Sequence, residues 1–228
     1  MKKRILSILL LCCMVLTLLP TTVLAADGPM DTIPKYDVSI DVYNRTSDIS
    51  IKDSRSYYIY SSVPDKLRDT WAWDKKIFIK GDKTAPHVFI DGVNIEMSPS
   101  SKGPAIELNK KASAYIYFIG KNSSLQGADG RAAIQKNRSE GQLYVLARTG
   151  TTVTCKGGDK AAGIGGSYAT RNISNGYYNG DMYGHGVNMH FGSRSNPDYW
   201  GGIIAAIGGN GGAGIGGGQG GAGEKLYF

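Results

Sequence analysis

Tyr177, Tyr178, Tyr183, Tyr199 and Trp200 crowd into one stretch of the chain, with Asp181, His185 and His190 among them. A tyrosine or tryptophan ring stacks on the C–H face of a sugar while its hydroxyl or indole N–H makes a hydrogen bond, so this mixture suits a glycan. A second candidate pair, Tyr115 and Tyr117, lies in the run YIYFIG. Read as a strand, that run puts Ile116 and Phe118 on one face and Tyr115, Tyr117 and Ile119 on the other, and one set must face outward. These seven aromatic residues are the candidate carbohydrate-binding set. The plain alternative, that tyrosine is common in strands of any kind, stays open.

The elements that must position these side chains announce themselves as a repeat. The stretch GGDKAAGIGGS, Gly157 to Ser167, returns 51 positions later as GGNGGAGIGGG, Gly208 to Gly218. Its centre, a small residue before Ile, occurs earlier as Ala133-Ile134 and Ala105-Ile106, at spacings of 30 and 28. Three apolar columns step by 28: Ile134, Ile106, Phe78; Tyr144, Ile116, Val88; and Val153, Leu125, Met97. Each lies in a short β-favouring run bounded by Gly, Asn, Asp, Ser or Pro. The expectation is an all-β chain, a single-stranded parallel β-helix with three short strands per rung of about 28 residues, against the alternative of a flat sandwich.

The chain divides accordingly. Residues 1–25 read as a signal peptide: Lys2, Lys3 and Arg4, then an uncharged apolar run to Leu19, then Val23 and Ala25 at the positions that suit cleavage. The run is shorter than a bilayer span, and its removal leaves no membrane-spanning segment. Residues 26–75 carry alternating runs such as YDVSIDVY and are expected to form an N-terminal β cap over the first rung, with Trp71 and Trp73 covering its open end or, alternatively, offering a sugar platform. Residues 76–223 are the expected coil, interrupted by an insertion at about 168–200, and residues 224–228 are a short tail where the pattern reads as truncated. Long excursions from a regular coil are where repeat proteins place binding loops.

Losing residues 1–25 removes three basic residues and no acidic one, which lowers the net charge from +7 to +4. That is too little to argue for nucleic acid as a partner. Cys155 is the one cysteine beyond the leader and reads as a small packing residue aligned with Ala206.

Catalytic patterns are thin. Gly184-His185-Gly186 matches three letters of a polygalacturonase motif, but that chemistry needs paired Asp residues and a basic partner, and Asp181 stands without them. A lyase would draw its base from Arg131, Lys136, Arg138 or Arg148, whose convergence spacing alone does not establish. The glycine-rich repeats lack the Asp of calcium-binding nonapeptides and the Gly-Lys-Ser/Thr ending of a phosphate loop. His87, His185 and His190 follow no recognised metal spacing. No catalytic residue is assigned.

The segments DGVNIEM, GPAIELNKKASAYIYFIGKNSSLQGADGRAAIQ, GQLYVL and TVTCKGGDKAAGIGGS resemble secreted bacterial carbohydrate-binding domains with a pectate-lyase-like right-handed β-helix, found in cell-surface repeat proteins. The resemblance implies a right-handed coil, a polysaccharide or cell-wall glycan as partner, calcium as an ion, and no catalysis. It implies a secreted, extracellular or cell-surface location. The alternative reading is a structural stalk or adhesin segment, and a polysaccharide-degrading enzyme stands third. An unfinished C-terminal edge would also allow edge-to-edge self-association.

Overall fold

In the computed structural model, alternating short runs and glycine-bearing turns produce, among the described residues, seventeen strands and one 3₁₀ turn, Asp65–Leu67. The structure describes residues 33–81, 83–98, 101, 103–109, 111–137, 140–168, 184–192 and 199–228. No α-helix occurs among the described residues, and no helix among them is long and apolar enough to cross a membrane. The chain divides at Ile33/Pro34, and residues 34–228 form a unit of their own.

The strands follow in order. β1 (Val38–Asp41) comes first, then β2 (Ile49–Ile51) and β3 (Ser56–Tyr60). β4 (Ile77–Ile79), β5 (His87–Asp91) and β6 (Asn94–Glu96) form the next set, followed by β7 (Ile106–Leu108), β8 (Ala114–Ile119) and β9 (Ser123–Gln126). β10 (Ile134–Gln135), β11 (Leu143–Ala147) and β12 (Thr152–Lys156) precede β13 (Ile164–Gly165), β14 (Gly186–Phe191) and β15 (Ile203–Ile207). β16 (Ile215–Gly216) and β17 (Gly223–Tyr227) come last.

Three sheets collect these strands, in the orders β1-β3-β5-β8-β11-β14-β17, β2-β4-β7-β10-β13-β16 and β6-β9-β12-β15. Every pairing is parallel. From β4 onward the chain visits the six-stranded, the seven-stranded and the four-stranded sheet in that cyclic order. Corners between the seven-stranded and four-stranded sheets are set by Gly92, Gly120 and Gly192, each in the left-handed region (φ 61°, 66° and 76°), where a side chain costs energy.

Inward residues of all three sheets meet in one core. It includes Ile79, Ile106 and Ile134 from the six-stranded sheet, Ile90, Ile116 and Phe118 from the seven-stranded one, and Ile95, Leu125 and Cys155 from the four-stranded one. Cys155 pairs in register with Ala206 and is fully buried, which is the packing role expected of it, and burial pushes its thiol pKa up.

The columns are real, but their step is not constant. Ile134 pairs with Ile106 as expected, yet Ile106 pairs with Ile77 rather than Phe78. Val88 pairs with Ile116, and Ile116 then pairs with Val145 rather than Tyr144. Leu125 lies between Ile95 and Cys155, not between Met97 and Val153. A strict step of 28 therefore slips by one residue in the first two columns and by two in the third, since successive rungs lengthen at their corners. A slip of one turns a side chain to the opposite face, whereas a slip of two leaves it on the same one. Phe78 and Tyr144 accordingly point outward, while Met97 and Val153 stay buried.

The segment expected as an N-terminal cover supplies, in its described part, strands of the same ladders. β1 pairs with β3, β3 with β5 and β2 with β4. Trp73 makes a parallel bridge to Ile95, is 3% exposed and donates its indole N–H to the Arg45 carbonyl at 2.8 Å. It is a core residue. Trp71 stays half-buried, edge-on to Tyr43 at 5.5 Å.

Candidate functional site

Parallel pairing in register puts equivalent side chains of successive strands about 4.8 Å apart. On the outward face of the seven-stranded sheet the equivalent side chains are rings. His87, Tyr115, Tyr144, His190 and Tyr227 form one file, with centroid separations of 4.7, 4.5, 4.4 and 4.4 Å and interplanar angles of 6°, 10°, 15° and 9°. Beside it, Phe89 stacks on Tyr117 at 4.9 Å, and Tyr58 stacks on Tyr36 and on Tyr60, each at 5.1 Å. Tyr58, Phe89 and Ile119 bury one another here, with Tyr60, Tyr117 and Trp200 packed around them as a second, outer apolar cluster.

Tyr199 and Trp200 return from the long insertion onto this cluster. Trp200 lies 5.1 Å from Tyr117 at a tilt of 39°, and Tyr199 meets Trp200 edge-on at 4.7 Å. The turn after β11 holds them: the Thr149 N–H donates to the Tyr199 carbonyl at 2.9 Å, and the Gly201 N–H donates to Thr149 Oγ1 at 3.1 Å. Arg148, itself buried, donates from Nη2 to the Tyr199 hydroxyl at 2.7 Å and lies 5.1 Å from the ring centroid. Tyr117, Tyr199, Trp200 and Arg148 are thus brought together from residues as far apart as 51 and more in sequence.

The face is largely aromatic and polar, with the Asp91 carboxylate at its edge. Burial, with Tyr115 adding a smaller effect, pushes the Tyr117 hydroxyl up to about 12, and the same two causes raise Tyr144. Tyr58 is raised by burial and by the hydrogen bond its hydroxyl donates to Asp91 Oδ2 at 2.8 Å. Burial lowers His190, whose Nε2 is buried without a hydrogen-bond partner. His87 Nδ1 and the Tyr117 hydroxyl share a hydrogen bond of 3.1 Å. At neutral pH the Tyr58, Tyr117 and Tyr144 hydroxyls are therefore protonated. Rings stacked in file cover one another's faces, so along the file a ligand meets edges and hydroxyls; Trp200, tilted at the margin, is not sandwiched within it.

Of the expected set, Tyr115 and Tyr117 face outward on β8, and Tyr117 joins Tyr199 and Trp200, whereas Tyr115 belongs to the neighbouring file. Tyr177, Tyr178 and Tyr183, with Asp181, lie outside the described residues. His185 and His190 are not companions: His185 Nδ1 is 3.5 Å from Glu224, and His190 stacks between Tyr144 and Tyr227. Sequence reasoning missed His87, Tyr144 and Tyr227 as members of the file. Their signal was present, since His87 and Phe89 precede Tyr115 and Tyr117 by 28 residues, but the step to Tyr144 is 29.

No family model matches the chain. Comparison with curated proteins returns no match either, and comparison with solved structures returns none. Among the described residues no three His, Cys, Asp or Glu side chains converge. Asp129 and Asp159 occupy stacked turns, where the Gly130 N–H donates to the Asp159 carbonyl at 2.9 Å, but two exposed carboxylates are not a calcium cage.

Proposed function

We propose that the chain is an exported, noncatalytic polysaccharide-binding module whose three sheets wind as one right-handed parallel β-helix. The cyclic visiting order of the sheets supports the winding, and crossovers between parallel strands are right-handed in nearly all sheets. The observation that carries the binding function is Trp200, packed with Tyr199 against Tyr117 on the outward aromatic face, beside a buried arginine. An indole of this kind offers a sugar ring its face while tyrosine hydroxyls take the hydroxyl groups. The leader at residues 1–25 supports an extracellular or cell-surface setting.

The test is a polysaccharide panel of plant and bacterial cell-wall glycans, probed with calcium and with chelator. Binding is expected in both buffers, and Trp200→Ala is expected to weaken it about 10-fold or more, in line with the loss of one aromatic anchor. An absence of binding across the panel by a folded β protein overturns the reading. Release of reducing ends or unsaturated uronides would instead place the chain among polysaccharide-degrading enzymes.

A structural stalk or adhesin segment is the second reading, favoured by the last rung. Among the described residues β15, β16 and β17 each pair on one side only, and Ile203 and Ile207 on β15 are 61% and 48% exposed. β15 and β16 carry no charged side chain, the usual device that blunts an open strand edge, whereas β17 carries Glu224 and Lys225. This reading expects concentration-dependent end association and a folded coil that binds no glycan.

A further inference from the structure

A cleft lies on the four-stranded sheet, and Trp200 is not among the residues that line it. Its floor is the outward side of β6 and β9, with Asn94, Glu96, Ser124 and Gln126, and its wall is the connection Asp69–Ala72, including Trp71. The wall is strapped to the floor. Asn94 Nδ2 donates to the Arg68 carbonyl at 2.9 Å, while its Oδ1 accepts from the Ser124 N–H at 3.1 Å. One residue on, the Trp73 N–H donates to the Asn94 carbonyl at 2.8 Å and the Glu96 N–H to the Trp73 carbonyl at 3.0 Å. The cleft is therefore preformed, with a volume of about 130 Å³, room for one sugar ring lying partly in solvent.

Its charge runs against that of the molecule. The chain carries net +7, yet the cleft holds two carboxylates, Asp69 and Glu96, and no basic side chain. Neither carboxylate takes part in an ion pair among the described residues. Nearby cations are engaged elsewhere: Arg68 and Lys121 on Asp65, Lys75 on Asp74, and Lys76 on Glu107. A negative, water-accessible cleft walled by an indole and edged by an amide and hydroxyls is complementary to a ligand that is at once cationic and polyhydroxylated.

We infer that this cleft binds an amino-sugar residue bearing a free ammonium group. The ammonium pairs with Glu96 and Asp69, the C–H face of the ring lies against Trp71, and the sugar hydroxyls reach Gln126 and Ser124. The inference deepens the polysaccharide reading and rests on it, but it uses a different site. It narrows the glycan to one whose amino groups are not acetylated.

The experiment is calorimetric titration of the purified chain with glucosamine oligomers and, separately, with the fully N-acetylated oligomers of equal length. The free-amine oligomers are expected to bind at least about 3-fold more tightly than the acetylated ones, since acetylation removes the positive charge that the two exposed carboxylates attract. Glu96→Gln and Trp71→Ala are each expected to weaken the free-amine oligomers several-fold, with Asp129→Asn, which removes an exposed carboxylate outside both sites, leaving them unchanged. Glu96 is exposed, so Glu96→Gln folds, and the circular dichroism spectrum checks it. Equal affinity for both oligomers, or binding lost in Trp200→Ala and kept in Glu96→Gln, overturns the cleft assignment and leaves the general reading standing. Binding of glucosamine oligomers alone, with the rest of the panel silent, supports the cleft against the Trp200 site. Calcium titrating the cleft in a Glu96-dependent way while the oligomers fail overturns the inference in favour of a simple cation site.

Discussion

The middle rungs and the last rungs obey one register and are built from opposite materials. From β7 to β12 the interior is filled by Ile106, Ile116, Phe118, Leu125, Ile134 and Val145, all fully buried. From β13 to β17 glycine and alanine become frequent in the same ladders; Ile164 and Met189 are still fully buried, but Ile204, Ala206, Ile215 and Leu226 are only partly covered. Backbones replace side chains as the packing units there: a methyl group added at Gly186 would run into the Gly216 carbonyl, and one at Gly166 into that of Gly184. The difference shows that a stacked register survives without a filled interior, provided the backbone has no side chains in its way. Burial then contributes less per strand, and stability is expected to grade along the three parallel sheets.

Truncations in the two regions should break or sharpen that comparison. Phe118→Ala empties the largest fully buried position of the middle and is expected to cost about 3–5 kcal/mol in denaturant unfolding, whereas Ile215→Ala, in the thin end, should cost about 1 kcal/mol or less. Equal losses would mean that the coil unfolds with no gradient of packing.

Lys136, at the junction of the two regions, should give the next effect. It is 1% exposed, its Nζ donates to the Glu140 carbonyl at 2.9 Å, and burial pulls its pKa from 10.5 down to about 8. Below pH 8 both folded and unfolded chains carry the proton, so the burial cost of the charge is present in full. Between pH 8 and 10.5 the unfolded chain binds more protons than the folded one, and stability rises with pH by about 2–3 kcal/mol before tyrosine ionisation opposes it. Lys136→Met should remove that slope and raise stability at pH 7 by a similar or smaller amount. A flat wild-type profile from pH 8 to 9.5 would show that the ammonium is not buried in solution.

The smallest effect belongs to the outer face. Tyr144→Ala opens a gap in the ring file between Tyr115 and His190 and is expected to cost about 1–2 kcal/mol, while Tyr144→Phe, which keeps the stack, should be nearly neutral. A large loss for Tyr144→Phe would point instead to the hydrogen bond its hydroxyl donates to Gln142 at 2.7 Å.

Much of the ladder was readable in the residues themselves. The Ile106, Ile134, Ile164 and Ile215 column pairs through every step, including the one of 51 residues, because a small residue before a β-branched one marks the same corner each time. Phe78 and Tyr144 were misplaced for a local reason: corner turns add a residue without changing the apolar letters around them. The parity of Tyr115 and Tyr117 gave half of the candidate face. Arg148 was invisible as a site residue, since its meeting with Tyr199 depends on where a long insertion re-enters the coil. Nor did anything in the run DTWAW show that Trp73 would turn into the core while Trp71 walls a cleft.

The Phe89, Tyr117 and Trp200 contacts also have an optical consequence. A phenol ring excited 5.1 Å from an indole hands its energy over long before it can radiate, so light absorbed by Tyr117 emerges as tryptophan fluorescence. The tyrosines of the neighbouring file, each stacked within 4.7 Å of the next ring, share their excitation along its length. Tyr117 should therefore add almost no tyrosine light in the folded chain, and the return of its emission on unfolding reports the opening of the aromatic face without any label.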